Sequence, residues 1–408
     1  MRLAEPALSI QPQQLFSKLA GESHVALAVS GGSDSVAMMR LVHEWAGEFS
    51  PATKLTVLTV DHGLRPEAAA EAARVATWCA ELSIHHETLH WTGEKPLTGI
   101  QAKARAARYD LMTAWCAAND MRVLLTAHTR NDQAETVLMR QQRTDTAESL
   151  AGIWETTVWK GIEIFRPLLG VKRSELRDYL RQIGQTWIDD PSNLDVKYER
   201  VRVRGELGQD DGRMRELADI ASAAGRQSRG LADAAREWNL QHLDSHPEGF
   251  GIVPRREIAK LDADVQQRAL QQLIYLYGSG NRVDPHELSA LSRWIAGTSL
   301  SRRTLGGAVL AARKNAIVIG REAGRISTVP SLVPETGEMV WDDRFLVKAQ
   351  SGSQVVRLAD LKNMLRRADL PNFVQQALPA ILTGENRVSV PHLKSEIGVS
   401  AKFIRYLR

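Results

Sequence analysis

Cysteine is scarce in this chain: Cys79 and Cys116 are the only two in 408 residues, and they form no Cys-x-x-Cys pair. That argues against a disulfide framework, a zinc ribbon or an iron–sulfur site, and it fits a reducing cytoplasm. Long apolar runs are lacking too. No stretch of about 18 apolar residues occurs, so no membrane span is expected. The first residues carry Glu5 and scattered glutamines in place of a basic-then-apolar signal. No Gly-Lys-Ser/Thr triplet occurs, which removes a Walker-type phosphate loop. Neither charge sign dominates, with 52 Lys and Arg against 48 Asp and Glu for a net charge of +4. This mildly basic balance permits a nucleic-acid partner without requiring one. Internal repeats and low-complexity tracts are absent as well.

What is present is ordinary for a globular chain of two or three domains. Apolar runs at His24–Val29, Leu55–Val60, Ile84–His90 and Arg122–Ala127 read as strands. Helical patterns at Ser35–Trp45, Glu67–Leu82 and Ile100–Ala118 lie between them. This alternation predicts an α/β fold, a mostly parallel, doubly wound sheet with helices on both faces. Such sheets bind ligands beyond the carboxyl ends of their strands. From about Gly205 the character changes. Residues 205–245 read as a long helical arm, 265–297 as two helices, and Thr304–Gly320 as a hairpin turning at Gly306-Gly307. The tail from about Ile326 reads as a small α+β unit. Three segments follow: 1–204 as a catalytic domain, 205–325 as a helical arm with an α+β domain, and 326–408 as a small carboxyl-terminal domain.

The residues with chemistry fall at the strand ends. Ser30-Gly31-Gly32-Ser33-Asp34-Ser35 joins the first strand to a helix. Its glycines let the backbone close on a ligand, and the helix start offers unpaired N–H groups to a phosphate. Asp61-His62-Gly63-Leu64-Arg65 ends the second strand; Asp61 and His62 stand at the rim, where a strand-end Asp-His is also often only a turn cap. Arg105 and Arg108 share one face of the third helix and can aim guanidinium forks at a phosphate ligand or substrate. His128 ends the fourth strand, and Asp132 and Glu135 follow on the first turns of a new helix. Two carboxylates there can hold Mg²⁺ or orient an amine. Lys197, Arg200, Arg202 and Arg204 make a cationic segment suited to phosphate-backbone contact, whether it forms a strand or a helix.

Together these residues resemble the tRNA(Ile)-lysidine synthetase family of the PP-loop ATP pyrophosphatase superfamily. The resemblance runs from Val25 to about Arg204. It is carried by the Ser30–Ser35 loop, Asp61-His62-Gly63-Leu64-Arg65, Arg105 with Arg108-Tyr109, and Ala127-His128 with Asp132-Gln133-Ala134-Glu135-Thr136. Arg166-Pro167-Leu168-Leu169 and Asp190-Pro191-Ser192-Asn193 with Asp195 continue it. The resemblance implies that ATP adenylates C2 of the wobble cytidine in a CAU-anticodon tRNA(Ile), releasing pyrophosphate. The ε-amine of free L-lysine then attacks C2 and expels AMP. It implies Ser30, Gly31, Gly32, Ser33, Asp34, Ser35, Asp61, His62 and His128 as the ATP site. Asp34, Arg105, Asp132 and Glu135 would be catalytic, with Asp34 and Asp132 on Mg²⁺. Arg108, Lys197, Arg200, Arg202 and Arg204 would contact tRNA. A cytoplasmic enzyme is expected, and a homodimer is compatible with it.

The chain departs from the family pattern at three places. Asn131 stands where the family usually has an aspartate. Gln141-Gln142-Arg143-Thr144-Asp145-Thr146-Ala147 replaces a Gly-rich segment, and Val201 replaces a usual asparagine. Three alternatives compete. A PP-loop tRNA sulfur-transfer enzyme would need catalytic cysteines, which Cys79 and Cys116 do not supply from within helical patterns. An amidotransferase-type synthetase would need a glutaminase partner or an N-terminal cysteine. A non-catalytic nucleotide-binding module would leave Asp132, Glu135 and the basic second half unexplained.

Overall fold

The computed structural model describes residues 10–63, 67–93, 100–144, 146–189, 199–208, 210–280, 283–361, 366–384, 387–394 and 398–407. Leu64, Arg65, Asp190–Asn193, Asp195 and Lys197 lie outside the described residues. The chain divides into two compact units, 1–228 and 229–408.

In the first unit the strands are β1 (His24–Ala28), β2 (Lys54–Asp61), β3 (His85–His90), β4 (Val123–Leu125), β5 (Thr156–Trp159) and β6 (Ile162–Phe165). The helices are α1 (Pro12–Leu15), α2 (Ser33–Phe49), α3 (Ala68–Glu81), α4 (Ile100–Ala118), α5 (Arg130–Gln141), α6 (Ala147–Leu150), α7 (Arg173–Gln182) and α8 (Glu199–Leu207). The sheet order is β3-β2-β1-β4-β6-β5. All neighbours are parallel except the β5–β6 hairpin, which the sequence pattern had not announced. The period of two along β1 explains the double winding. Val25 and Leu27 pack with Val36, Leu41 and Val42 of α2 and with Leu176 and Leu180 of α7. Ala26 faces the other side, with Tyr109, Met112 and Cys116 of α4. The strand order reverses between β1 and β4, so the crevice beyond their carboxyl ends is where this fold seats a ligand.

The segment left open between strand and helix is the helix α8. Arg200 and Arg204, four apart, therefore share a face, and Val203 and Leu207 bury against Ala134, Val137 and Leu138 of α5. Both cysteines are buried, Cys79 against Met39, with its thiol 3.7 Å from the Met39 sulfur. Burial pushes the Cys79 thiol up to about 12 and the Cys116 thiol up to about 11. Neither is a thiolate nucleophile at neutral pH.

The 32-residue helix α9 (Asp211–His242) contains the division between the units. The second unit continues with β7 (Asp244–His246), β8 (Phe250–Pro254), α10 (Arg255–Lys260), α11 (Ala263–Tyr277), α12 (Pro285–Ala296), β9 (Arg302–Leu305), β10 (Ala308–Ala312) and β11 (Ala316–Arg321). Its antiparallel sheet, β7-β8-β11-β10-β9, buries Leu310, Ile317 and Ile319 under Leu270, Ile274, Leu288 and Ile295. The expected hairpin turns at Gly306 and Gly307, whose φ values of 56° and 75° suit glycine in a two-residue turn. The remaining elements are β12 (Ser331–Leu332), β13 (Glu338–Trp341), β14 (Phe345–Lys348), β15 (Gln354–Arg357), α13 (Asn372–Gln376), β16 (Pro379–Thr383), β17 (Arg387–Ser389) and β18 (Ser400–Phe403). They form two small antiparallel sheets around Phe345, Val355 and Ile381. Among the described residues no helix is long and apolar enough to cross a membrane.

Candidate active site at the strand ends

The chain leaves β1 through Ser30-Gly31-Gly32 and enters α2 at Ser33. Gly31 has φ +87°, and a Cβ there would lie 2.6 Å from Ile188 Cδ1. The Ile188 N–H also donates to the Gly31 carbonyl at 2.9 Å. Gly31 is thus required by the chain itself. Gly32 is extended at φ −70°, ψ 157° and caps α2 with no side-chain hydrogen bond, leaving the first-turn N–H groups to a ligand. Ser35 braces the loop: its hydroxyl donates to the Gly32 carbonyl at 2.9 Å and accepts from the Ser30 N–H at 3.2 Å.

At the end of β4, Thr129 caps α5. Asp132 Oδ2 accepts from the Thr129 N–H and hydroxyl, both at 2.8 Å, in a reciprocal capping box. Oδ1 of the same residue points into the site, so capping and site chemistry use different oxygens of one carboxylate. It accepts from Arg173 Nη2 and Arg200 Nη2, both at 3.1 Å. Glu135 is 1% exposed. Its Oε1 accepts from Arg204 Nε at 2.8 Å and its Oε2 from Arg200 Nε at 2.7 Å. Arg173 Nη1 lies 3.6 Å from Oε1, and Arg173 Nε donates to Asp34 Oδ2 at 2.9 Å. Three carboxylates from α2 and α5 therefore meet three guanidiniums from α7 and α8. Asp34, Asp132, Glu135, Arg200 and Arg204, 170 residues apart at the extremes, are brought together as one cluster.

At both Asp34 and Asp132 burial is the largest single influence, and the partners of each decide the outcome. At Asp34 burial outweighs the single nitrogen of Arg173 and holds the carboxyl above its ordinary value. At Asp132 burial acts the same way. There Arg173, Arg200, His128 and the Thr129 N–H together win, and the carboxyl lies below the usual range. Burial lowers His128 far below an ordinary imidazole despite Asp132 nearby. The neutral ring sits with Nδ1 3.1 Å from Thr126 Oγ1 and Nε2 3.4 Å from Arg105 Nη2.

The other expected residues form the rim. Asp61 Oδ1 accepts from the Gly63 N–H at 2.8 Å, so Asp61 caps its turn. His62 Nε2 accepts from Arg108 Nη2 at 3.2 Å. Arg105 lies over the Tyr109 ring, 5.2 Å from its centroid. Arg202, between Arg200 and Arg204 in sequence, is not on their face of α8.

Sequence reasoning missed Arg173. Its signal was the start of α7, where the Lys172 N–H donates to Glu175 Oε2 at 2.8 Å and Arg173 and Arg177 follow at helical spacing. Arg177 Nε reaches Ser33 Oγ at 3.3 Å. Asn131, one of the departures, accepts the Arg173 N–H at 3.0 Å through Oδ1. It therefore positions α7. The stretch that follows the altered segment is tied to α5: Gln133 pairs with the N–H and carbonyl of Ile153, and Arg140 Nη1 donates to the Ser149 and Gly152 carbonyls at 2.8 Å.

A phosphate-type loop at the switch point of a parallel sheet, facing an acidic helix start, defines an ATP-binding α/β domain. Residues 5–210 match the model of the PP-loop domain. The chain is 37% identical over 366 residues to the tRNA(Ile)-lysidine synthase of Mesorhizobium japonicum, covering 88% of this chain and 79% of that one. It is 33% identical over 416 residues to the enzyme of that name from Ruegeria pomeroyi, covering 94% and 93%. The chain belongs to the tRNA(Ile)-lysidine synthase family. Among solved structures, the U34-tRNA thiolase NcsA from Methanococcus maripaludis covers 53% of this chain and 78% of its own, at 17% identity and a TM-score of 0.45.

Proposed function

We propose that the cluster of Asp34, Asp132 and Glu135 is the site at which ATP and lysine are joined to a CAU-anticodon tRNA(Ile). The carrying observation is the three-carboxylate, three-guanidinium cluster beside the uncapped start of α2. The reaction has two steps. The base oxygen on C2 of the cytidine bonds to the ATP α-phosphorus and pyrophosphate leaves. The lysine ε-nitrogen then bonds to C2, the C2–O bond breaks and AMP departs. The loop Ser30–Ser35 cradles the phosphates through backbone N–H groups. Asp132 and Glu135 draw the lysine ammonium, whose reference pKa is about 10.4 and which must lose a proton before attack. Arg200 and Arg204 now occupy those carboxylates, so an incoming cation exchanges with guanidiniums.

Magnesium fits the donor set. Asp34 and Asp132 offer carboxylate oxygens next to the phosphate seat, and Mg²⁺ is usually held by one or two carboxylates plus substrate phosphates. Bound there, it would stabilise charge on the departing pyrophosphate. Arg173, which bridges both carboxylates, must turn aside for it.

The tRNA is held in part by the second unit. Buried Arg255 ties the end of α12 to the β10–β11 turn, donating to the carbonyls of Gly297 at 2.6 Å and Arg313 at 3.3 Å. Arg256, Arg293, Arg302, Arg303, Arg313 and Lys314 are exposed around that knot. Among the described residues none of these six is ion-paired. That pattern suits a phosphate backbone. A sulfur-transfer reading has no support from the two buried, protonated thiols.

The test is incorporation of labelled lysine into bulk tRNA with ATP and Mg²⁺. The expected result is label in tRNA with the full chain and none with Asp132→Asn, whose tRNA affinity stays within a few-fold. No incorporation by the unaltered protein overturns the reading.

A further inference from the structure

Arg173 is the only residue among those described that touches both halves of this site. Its three guanidinium nitrogens each go to a different carboxylate. Nε lies 2.9 Å from Asp34 Oδ2 on the phosphate-loop helix, Nη2 lies 3.1 Å from Asp132 Oδ1, and Nη1 lies 3.6 Å from Glu135 Oε1 on α5. The side chain is mostly buried. Its backbone is fixed by Asn131, and the next turn of α7 rests on the phosphate loop through Arg177 and Ser33. Asp34 is the second residue of α2, so Arg173 ends where that helix offers its N–H groups to phosphate.

Two ligands compete for this guanidinium in opposite ways. A lysine ammonium needs Asp132 and Glu135, which Arg173 already neutralises together with Arg200 and Arg204. Triphosphate oxygens attract a guanidinium fork, and charge-assisted pairs of that kind are among the stronger hydrogen bonds. A cation arriving with the phosphates would also take Asp34 and so break one of the three contacts that hold Arg173 in place. Both effects loosen Arg173 from its present seat, and the phosphate oxygens supply the new one. We infer that Arg173 is a positioning residue that couples the two substrates: nucleotide at the phosphate loop draws its guanidinium off Asp132 and Glu135 and so tightens lysine binding there. This rests on the assignment of lysine to those carboxylates. By linkage, lysine tightens nucleotide binding by the same factor.

Calorimetric titration of the full chain with L-lysine tests it, without and with saturating Mg²⁺ and a non-hydrolysable ATP analogue. For the unaltered protein the analogue should tighten lysine about tenfold, within the range of ordinary couplings. In Arg173→Met, lysine should bind more tightly than to the unaltered protein when nucleotide is absent, and the analogue should change that affinity less than about twofold. A residue that only supports the fold would give weaker binding in both conditions. Arg173→Lys keeps a charge but reaches one carboxylate at a time, and should retain an intermediate ratio. The inference is overturned if Arg173→Met keeps the full nucleotide effect, or if it weakens lysine binding in both conditions while Arg173→Lys behaves as the unaltered protein. An unaltered protein that binds lysine with no nucleotide effect overturns the coupling alone. One that binds no lysine in either condition overturns the site assignment beneath it.

Discussion

At the residue scale, the two glycines of the phosphate loop separate backbone demand from ligand demand. Gly31 is left-handed and has Ile188 against it, whereas a Cβ on Gly32 would meet nothing closer than Ser30 Oγ at 3.7 Å. Gly31→Ala should therefore cost roughly 1–3 kcal/mol of stability from strain and overpacking, read as a lower unfolding midpoint. Gly32→Ala should unfold as the unaltered protein does and lose ATP affinity at least about tenfold, because it adds a methyl group at the uncapped start of α2 that the phosphates approach. Equal unfolding midpoints for the two variants would refute the distinction. His128 makes a second case. Burial and the cations Arg105, Arg166 and Arg200 outweigh Asp132, so its ring should stay neutral across about pH 5–8 in NMR, where an ordinary imidazole titrates near 6.5. A midpoint near 6.5 would contradict that environment.

At the element scale, the turn between β13 and β14 concentrates an unusual burden. Asp342 and Asp343 both adopt left-handed φ, 49° and 52°. Asp342 accepts from Arg344 Nε at 2.6 Å and from Arg321 Nε at 3.0 Å, and Arg344 is 1% exposed. Burial alone would raise the Asp342 carboxyl, but Arg321 and Arg344 hold it below its ordinary value. A lowered carboxyl adds stability that is complete above the unfolded value of about 3.9 and is lost as pH falls through the folded one. Asp342→Asn strands two buried guanidiniums and should cost about 3–5 kcal/mol in denaturant unfolding at pH 7. The difference from the unaltered protein should shrink as the pH is lowered past 4; a constant difference would show that charge is not the cause. Elements of this kind show what the sequence made legible. The apolar run of β1 and the helical spacing of α4 were readable because each depends on neighbours in the chain. So was the Gly306-Gly307 turn, set by two residues. The carboxylates Asp132 and Glu135 were readable because they lie three positions apart on one helix. Arg173 was not, since its meaning lies in Asp34, 139 positions away. The β5–β6 hairpin was missed because four-residue strands carry too little period. Asp61 was readable in two ways, as a rim residue and as a turn cap, and its bond from the Gly63 N–H is the local one that the sequence announces.

At the scale of the whole molecule, a net charge of +4 conceals how unevenly charge is spent. In the first unit Arg173, Arg200 and Arg204 are consumed by carboxylates. In the second, the six exposed cations around Arg255 are not. A sheet end built this way has a structural cost with no internal return: Arg255 is 5% exposed and holds the end of α12 to the β10–β11 turn, which carries Arg313 and Lys314. Arg302 also lies over the Phe373 ring, 5.4 Å from its centroid, which fixes its direction. Each phosphate contact made there should release counterions, so log affinity for tRNA should fall with log salt by about 0.7–0.9 per contact. Replacing Arg302, Arg303, Arg313 and Lys314 with alanine should weaken tRNA binding and flatten that slope by up to about three. Lysine and nucleotide titrations of the same variant should be unchanged, because their residues all lie before residue 228. Filter binding across a salt series measures both quantities. A weaker affinity with an unaltered slope would mean that these side chains act through the fold of their own unit, and an unaltered affinity would place the backbone contacts on other surfaces of the chain.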